Sequence, residues 1–424
     1  MKEDLVSYIW RHKLWGTAPL TTVNGEEIDI IDVGLPNNSS GPDFFNAKIR
    51  IGDTLWAGNV EIHVRASDWN RHKHETDAAY NSVILHVVAD NDCAVKNQKG
   101  NVLPQLQLPI DARYIALADQ LMASPQTIAC EKYWDAHLVA RLSLMMNGLL
   151  CERLENKVKV IGEILNSNQN DWEETFYQVL AKSFGMKTNE VPFVQLAKSL
   201  PQHILAKQKD QLLQIEALLI GQAGLLDDLE VTDGYTDKLI AEYKFLRQKY
   251  SLQPINPQLW KKGGIRPVNS PYVRLAEFAM LIYHSEHLFR KVVDTTDTKE
   301  MHKLFSFGTS DYWQTHYVPA SASKKQNKTI GEALRNSILI NCVAPMLFAY
   351  GKAMGVEGMT DRVFDLLNSI PAEQNSIVEV WKNMGVEVKN AYDSQALIEL
   401  KKVYCDKKDC LRCKLGHQVF KRNI

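Results

Sequence analysis

The hydrophobic positions change their period along the chain. In residues 3–13 the apolar Leu5, Val6, Ile9 and Trp10 recur at three- and four-residue steps, which predicts a short amphipathic helix. From Glu27 the step falls to two. Residues 27–34, 44–51 and 55–64 read as strands, and Gly52-Asp53 between the last two is a two-residue hairpin turn. Residues 67–80 open on capping side chains and read as a helix. Residues 83–88 are almost continuously apolar, as in a strand covered on both faces, and 102–108 add a last strand. The order helix, three strands, helix, strand predicts an α/β sheet flanked by helices. Beyond residue 131 helical patterns take over, at 134–165, 171–183, 203–223, 235–250, 271–291, 329–353, 359–369, 372–384 and 391–404. Prolines fall near most of their ends, and no internal repeat is visible. The expected division is an α/β module at 1–112, a helical region at 113–400, and a cysteine-rich tail at 401–424 packed on the helical region.

Composition narrows this picture only a little. A chain of 424 residues with 45% apolar content can bury large cores, and 23% charge argues against wholesale disorder. A net charge of −1 neither demands nor excludes a nucleic-acid partner. The start Met1-Lys2-Glu3-Asp4 is not a secretory leader. The most apolar run, 338–350, is short for a bilayer and carries Asn341 and Pro345, so it is expected to be a buried helix rather than a membrane span. Seven cysteines in so long a chain do not resemble a disulfide framework, which points to a reducing cytoplasm.

The densest chemistry lies between Asn37 and Asp90. Asp43 follows Pro42 at the head of one strand, and Glu61 and His63 stand two apart inside the next, on one face. A tight turn at Gly52-Asp53 pairs Ile51 with Thr54, Ile49 with Trp56, Phe45 with Val60 and Asp43 with Ile62. In that register Asp43 is level with Glu61 and His63 but on the opposite face. A bulge, or a kink at Pro42, is needed to turn it. Carboxylates suit hard cations such as Mg²⁺ or Mn²⁺, which activate water and hold phosphate.

Pro42-Asp43, a hairpin, and Glu61-x-His63 resemble the motif of the PD-(D/E)xK phosphodiesterase superfamily. The resemblance implies a restriction-endonuclease-like sheet, with Asp43 and Glu61 binding Mg²⁺ or Mn²⁺ and His63 standing where the family has its water-activating lysine. Over its whole length the chain also resembles a bacterial family known as domain of unknown function 2851, through SGPDF, GNVEIHVRASDW, YNSVILHVV, RPVNSPYVRLA, SQALIELKKVYC and CLRCKLG. That resemblance implies no particular activity.

Other candidates compete. His72 or His74, with His63, His86 and a carboxylate such as Asp77, could form a Zn²⁺ or Mn²⁺ site. The plainer reading makes His86 a hydrogen-bonded core histidine and leaves 72–77 on a solvated helix, where His72 and His74 diverge. Arg65, Arg266 and Arg274 are candidate phosphate ligands, and Arg266 and Arg274 serve equally well as a bridge between two helical domains, each arginine pairing with an acid. The tail, Cys405-x4-Cys410-x2-Cys413-x3-His417, has the donors for a structural zinc, with basic residues around it. The alternatives are an iron–sulfur cluster completed by a distant Cys93, Cys130 or Cys151, or reduced thiols without metal. Three functions follow: a metal-dependent nuclease-like hydrolase, a nucleic-acid- or protein-binding module of the same fold without chemistry, or an assembly protein whose helical region holds a protein partner.

Overall fold

The structure, a computed structural model, describes residues 1–37, 39–227 and 229–424. The chain divides into two compact units, residues 1–145 with 399–424, and residues 146–398.

The first unit is built on a mixed sheet of seven strands flanked by helices. Its elements are α1 (Glu3–Arg11), β1 (Leu20–Thr21), β2 (Glu27–Asp32), β3 (Leu35–Pro36), β4 (Phe44–Ile51), β5 (Thr54–Arg65), α2 (Asp68–Arg71), β6 (Val83–Asp90), β7 (Gln105–Gln107) and α3 (Ala112–Ala123). The strand order is β1-β2-β4-β5-β6-β7, with β3 paired to β4. β2, β4 and β5 are antiparallel, whereas β6 runs parallel to β5. A parallel return needs a crossover, which residues 66–82 supply. The apolar stripe of α1 is buried, and the Trp10 indole N–H donates to the Val33 carbonyl at 3.1 Å.

The Gly52-Asp53 turn forms as the pattern predicts, with Ile51 opposite Thr54 and Ile49 opposite Trp56. Further along, the register departs from expectation. Phe44, not Phe45, faces Val60, because an extra residue is inserted between Phe44 and Ala47. Asn46 takes φ 58 there, a left-handed conformation that asparagine tolerates better than most residues. The crossover also differs from the continuous helix expected over 67–80. It is one α-turn followed by two 3₁₀ turns, His74–Thr76 and Ala78–Ser82. Lys73 at φ 64 ends the first turn, and Asp77 caps the last by accepting the Ala79 N–H.

α4 (Ala136–Ser167) contributes residues to both units. The second unit is mostly helical: α5 (Trp172–Gly185), α6 (Glu190–Ser199), α7 (Gln202–Ala206), α8 (Leu212–Gln222), α9 (Gly234–Tyr250), α10 (Pro271–His284), α11 (Leu288–Asp294), α12 (Thr298–Lys303) and α13 (Asp311–Thr315). After a small ribbon of β8 (His316–Val318) and β9 (Ser321–Ala322) come α14 (Glu332–Ile338), α15 (Ala344–Met354), α16 (Met359–Ser369), α17 (Ser376–Asn383) and α18 (Ala391–Glu399). The helix expected over 271–291 breaks where His287 adopts φ 47. α14 and α15 are joined by a π-helical turn, Leu339–Val343. Pro345 explains it: in a regular helix its ring would collide with the Asn341 carbonyl, and a wider turn makes room. This helix, Glu332–Met354, is long and apolar enough to cross a membrane, and 67% of its apolar window is buried inside the protein, as in a core helix.

Glu216 on α8 is only 1% exposed. Its carboxylate accepts from the Ser310 hydroxyl at 2.8 Å and from the Tyr235 hydroxyl. Burial pushes its pKa up to about 7, so the fold holds a proton that the unfolded chain releases near pH 4.5. Stability is therefore greatest below that pH and is lost as pH rises through 7. Replacing Glu216 with Gln is expected to gain roughly 2–3 kcal/mol on wild type between pH 5 and pH 8. Denaturant titrations at the two pH values check this, and an equal offset at both would refute it.

The last helix, α19 (Lys414–Asn423), belongs to the first unit. There His417 stacks on His12, the C-cap of α1, at 4.2 Å, and its Nδ1 lies 2.8 Å from the Tyr8 hydroxyl.

Candidate active site

The inserted residue in β4 decides where Asp43 points. It moves Asp43 from opposite Ile62 to opposite Glu61, so the two side chains share a face. Their interlocking confirms the register. The Asp43 N–H donates to Glu61 Oε2 at 3.1 Å, and the Ile62 N–H donates to Asp43 Oδ2 at 2.9 Å. Glu61 is buried and Asp43 half-buried. Burial, and then the Glu61 charge, raise the Asp43 carboxyl well above the usual carboxylate range. Glu61 is raised first by burial and further by Glu3, from the first turn of α1. Glu3 in turn is raised by burial and by Asp43. Three carboxylates thus crowd one region, an arrangement that a cation would relieve.

Imidazoles close the other side of Glu61. Its Oε1 lies 3.2 Å from His74 Nε2 and 3.7 Å from His63 Nε2. One ring nitrogen each from His63, His72 and His74 falls within 4.8 Å of the others. His72 and His74 were expected to diverge on a helix. The left-handed Lys73 between them folds both rings onto His63 instead. His63 sits at the centre, with Nδ1 2.9 Å from His86 Nε2 and Nε2 3.1 Å from His72 Nδ1. Burial, and then the neighbouring His86, push the His63 pKa far below its ordinary value, so the ring is neutral. His86 is fully buried and also held neutral by burial. Its register partner in the parallel β5 is Glu61.

Aromatic packing fixes these rings. Tyr80 stacks on His74 at 3.7 Å, and Trp69 meets His74 and His86 edge-on at 5.3 and tilted at 5.2 Å. Trp69 itself is anchored in a core of Tyr80, Val83, Val95 and Leu103.

Asp43 also lines a pocket of about 640 Å³ in the first unit. Lys2, just before α1, Arg11 of α1, and Lys407, Lys408 and Arg412 of the tail line it with Asp43, Asp4 and Asp409. Arg412 is paired with Asp409 at 2.7 Å, and Lys408 reaches the Gln126 carbonyl. A larger pocket, about 720 Å³, lies in the second unit. The four acids at its wall are all engaged: Asp171 accepts the Glu174 N–H, Glu173 accepts the N–H groups of Phe289 and Arg290, Glu174 that of Gln202, and Glu286 pairs with Lys209 at 2.8 Å.

The remaining sequence candidates fall outside the cluster. Asp77 serves as a cap. Arg65 is exposed, 4.0 Å from Asp90. Arg266 is exposed in the second unit. Arg274, in the same unit, is buried and occupied by Glu277 and Asn269, both at 2.6 Å. His417, expected to ligate zinc with the tail cysteines, is instead engaged with Tyr8 and His12. Sequence reading missed Glu3 and the basic pair Lys2 and Arg11, whose only signal is their place in or next to an amphipathic helix.

Fold and site define a mixed α/β unit with an acidic and imidazole cluster beside a basic pocket. The chain belongs to the family described as "Protein of unknown function (DUF2851)", which matches residues 3–376. Comparison with curated proteins and with solved structures gave no match.

Proposed function

We propose that the first unit is a divalent-metal-dependent phosphodiesterase acting on nucleic acid. The observation that carries this reading is the convergence of Asp43 and Glu61 on one face, produced by the bulge in β4. The order of α1, β2, β4, β5, crossover and parallel β6 also agrees with the resemblance to the PD-(D/E)xK superfamily. Asp43 and Glu61, with His74 beside them, are the residues that would hold the cation. Mixed carboxylate and imidazole donors suit Mn²⁺ better than Mg²⁺. Such a cation supplies Lewis acidity toward phosphate and water. Neutral His63, whose two ring nitrogens meet His86 and His72, is too weak a base to hold a proton near neutral pH and would instead help to position water or phosphate beside the cation. The basic side chains around Asp43 give a phosphate backbone its counter-charges.

A second reading, a nucleic-acid-binding module without chemistry, draws support from His63 standing in place of the lysine. A cleavage assay separates the two. Single- and double-stranded DNA and RNA are incubated with the full chain in Mn²⁺ or Mg²⁺. The expected result is cutting that EDTA abolishes and that is faster in Mn²⁺. Salt-sensitive binding of these substrates without any cutting would establish the second reading in its place.

A further inference from the structure

The first unit also brings together four cysteines from two distant segments, separate from the histidines. Cys405 ends a π-helical turn, Leu400–Cys405, that follows α18. Cys410 lies in the succeeding turns, and Cys413 is the N-cap of α19. The fourth member comes from far away in sequence: Cys130, just before the 3₁₀ turn Glu131–Tyr133. None of the four is in a disulfide. Cys130, Cys405 and Cys413 are buried, at 8%, 9% and 8% exposure, and Cys410 is half-buried. Every pairing among the four lies within electrostatic reach, the Cys130, Cys405 and Cys410 thiols being raised by burial and then by their neighbours.

The backbone around them is closely folded. The Lys408 N–H donates to the Cys405 carbonyl at 3.1 Å, and the Asp409 N–H to the Tyr404 carbonyl at 2.9 Å. Lys408 takes φ 54 and ties the loop to Gln126, four residues before Cys130. Gly416 approaches the loop so closely that a Cβ there would lie 1.9 Å from the Cys410 carbonyl oxygen. A buried cysteine by itself behaves as a small hydrophobe. Four converging from two distant segments, on a loop wrapped this tightly, match the donor set of a structural metal site.

We propose that Cys130, Cys405, Cys410 and Cys413 form a four-thiolate centre for a thiophilic metal, either a single Zn²⁺ or an iron–sulfur cluster. His417 is not a ligand, since its ring is held by Tyr8 and His12. The centre staples the tail to the segment after α3. It thereby fixes Lys407, Lys408 and Arg412 in the pocket that Asp43 lines. The inference does not depend on the phosphodiesterase reading, because it concerns metal content alone.

The full chain, purified without oxygen and without a metal-affinity tag, is assayed for zinc, iron and acid-labile sulfide. X-ray absorption at the edge of the metal found then counts its sulfur neighbours. One zinc per chain with four sulfurs, or iron and sulfide with cysteine ligation, is the expected result and distinguishes the two forms. His417→Ala should retain full metal content, and Cys130→Ser should lose at least about nine-tenths of it. Because Cys130→Ser could misfold, the sulfur count on the wild-type chain decides. Three sulfurs and one nitrogen, or less than about a tenth of an equivalent of either metal, overturns the proposal.

Discussion

Glu61→Gln is expected to lower metal-dependent cleavage roughly a thousandfold, about 4 kcal/mol of transition-state stabilisation, while leaving the fold intact. The reason lies in the two halves of the carboxylate. Oε2 accepts the Asp43 N–H, and a glutamine oxygen can do the same. Oε1 faces His74 and His63, and the amide NH2 that takes its place there cannot ligate a cation. Burial already disfavours the Glu61 charge, so removing it should hold or raise resistance to denaturant. Activity lost together with stability maintained is a pattern that simple damage cannot produce. Asp43→Asn should behave alike, because its oxygen can still accept the Ile62 N–H. Cleavage by both purified variants at the wild-type rate would assign any activity to a contaminant and discard the carboxylate pair as a metal site.

The second large effect is at Trp69. This residue has no exposed surface, and its indole N–H donates to the Lys96 carbonyl at 3.0 Å. Trp69→Ala leaves a void under two imidazoles and is expected to cost about 3–5 kcal/mol. That is a large share of the 5–15 kcal/mol or so that holds a typical domain together. Loss of the wall behind His74 and His86 should also weaken Mn²⁺ binding at least about tenfold, the equivalent of roughly 1.4 kcal/mol. Trp69→Phe keeps most of the packing and should recover most of the metal affinity. Denaturant unfolding and Mn²⁺ titration followed by electron paramagnetic resonance measure the two effects. A Trp69→Ala chain as stable as wild type would show that the rings do not rest on this wall.

Several parts of this molecule were legible in the residues. The change from helical to alternating periodicity locates α1, β2, β4, β5 and β6, and Gly52-Asp53 sets the hairpin. Two features decisive for the site were not. The extra residue in β4 leaves the apolar alternation almost unaltered, and Asn46 is its only mark. The convergence of His72 and His74 depends on Lys73 at φ 64, and lysine carries no preference for that conformation. In both cases tertiary packing imposes a backbone shape that local sequence does not announce. The tail illustrates the same limit. Spacing offers His417 as a fourth donor and Cys130 only as one of three distant cysteines, because nothing local ties any of those three to Cys405, Cys410 and Cys413. Among the helices, the longer ones were placed well, but α3, α6, α12, α13 and α19, each of twelve residues or fewer, went unrecognised.

The bulge in β4 carries a consequence for reading related chains. Across a bulge-free hairpin with a two-residue turn, facing residues are always an odd number of positions apart, as Ile51 and Thr54 are. Asp43 and Glu61 are 18 apart, an even separation. Their convergence is therefore a matter of parity, and one inserted residue supplies it. A relative that lost that residue would keep its sheet, its hairpin and both acids, yet would present them to opposite sides. Counting the residues between the two carboxylates, and not merely finding them, distinguishes chains that can assemble this centre from chains that only spell it.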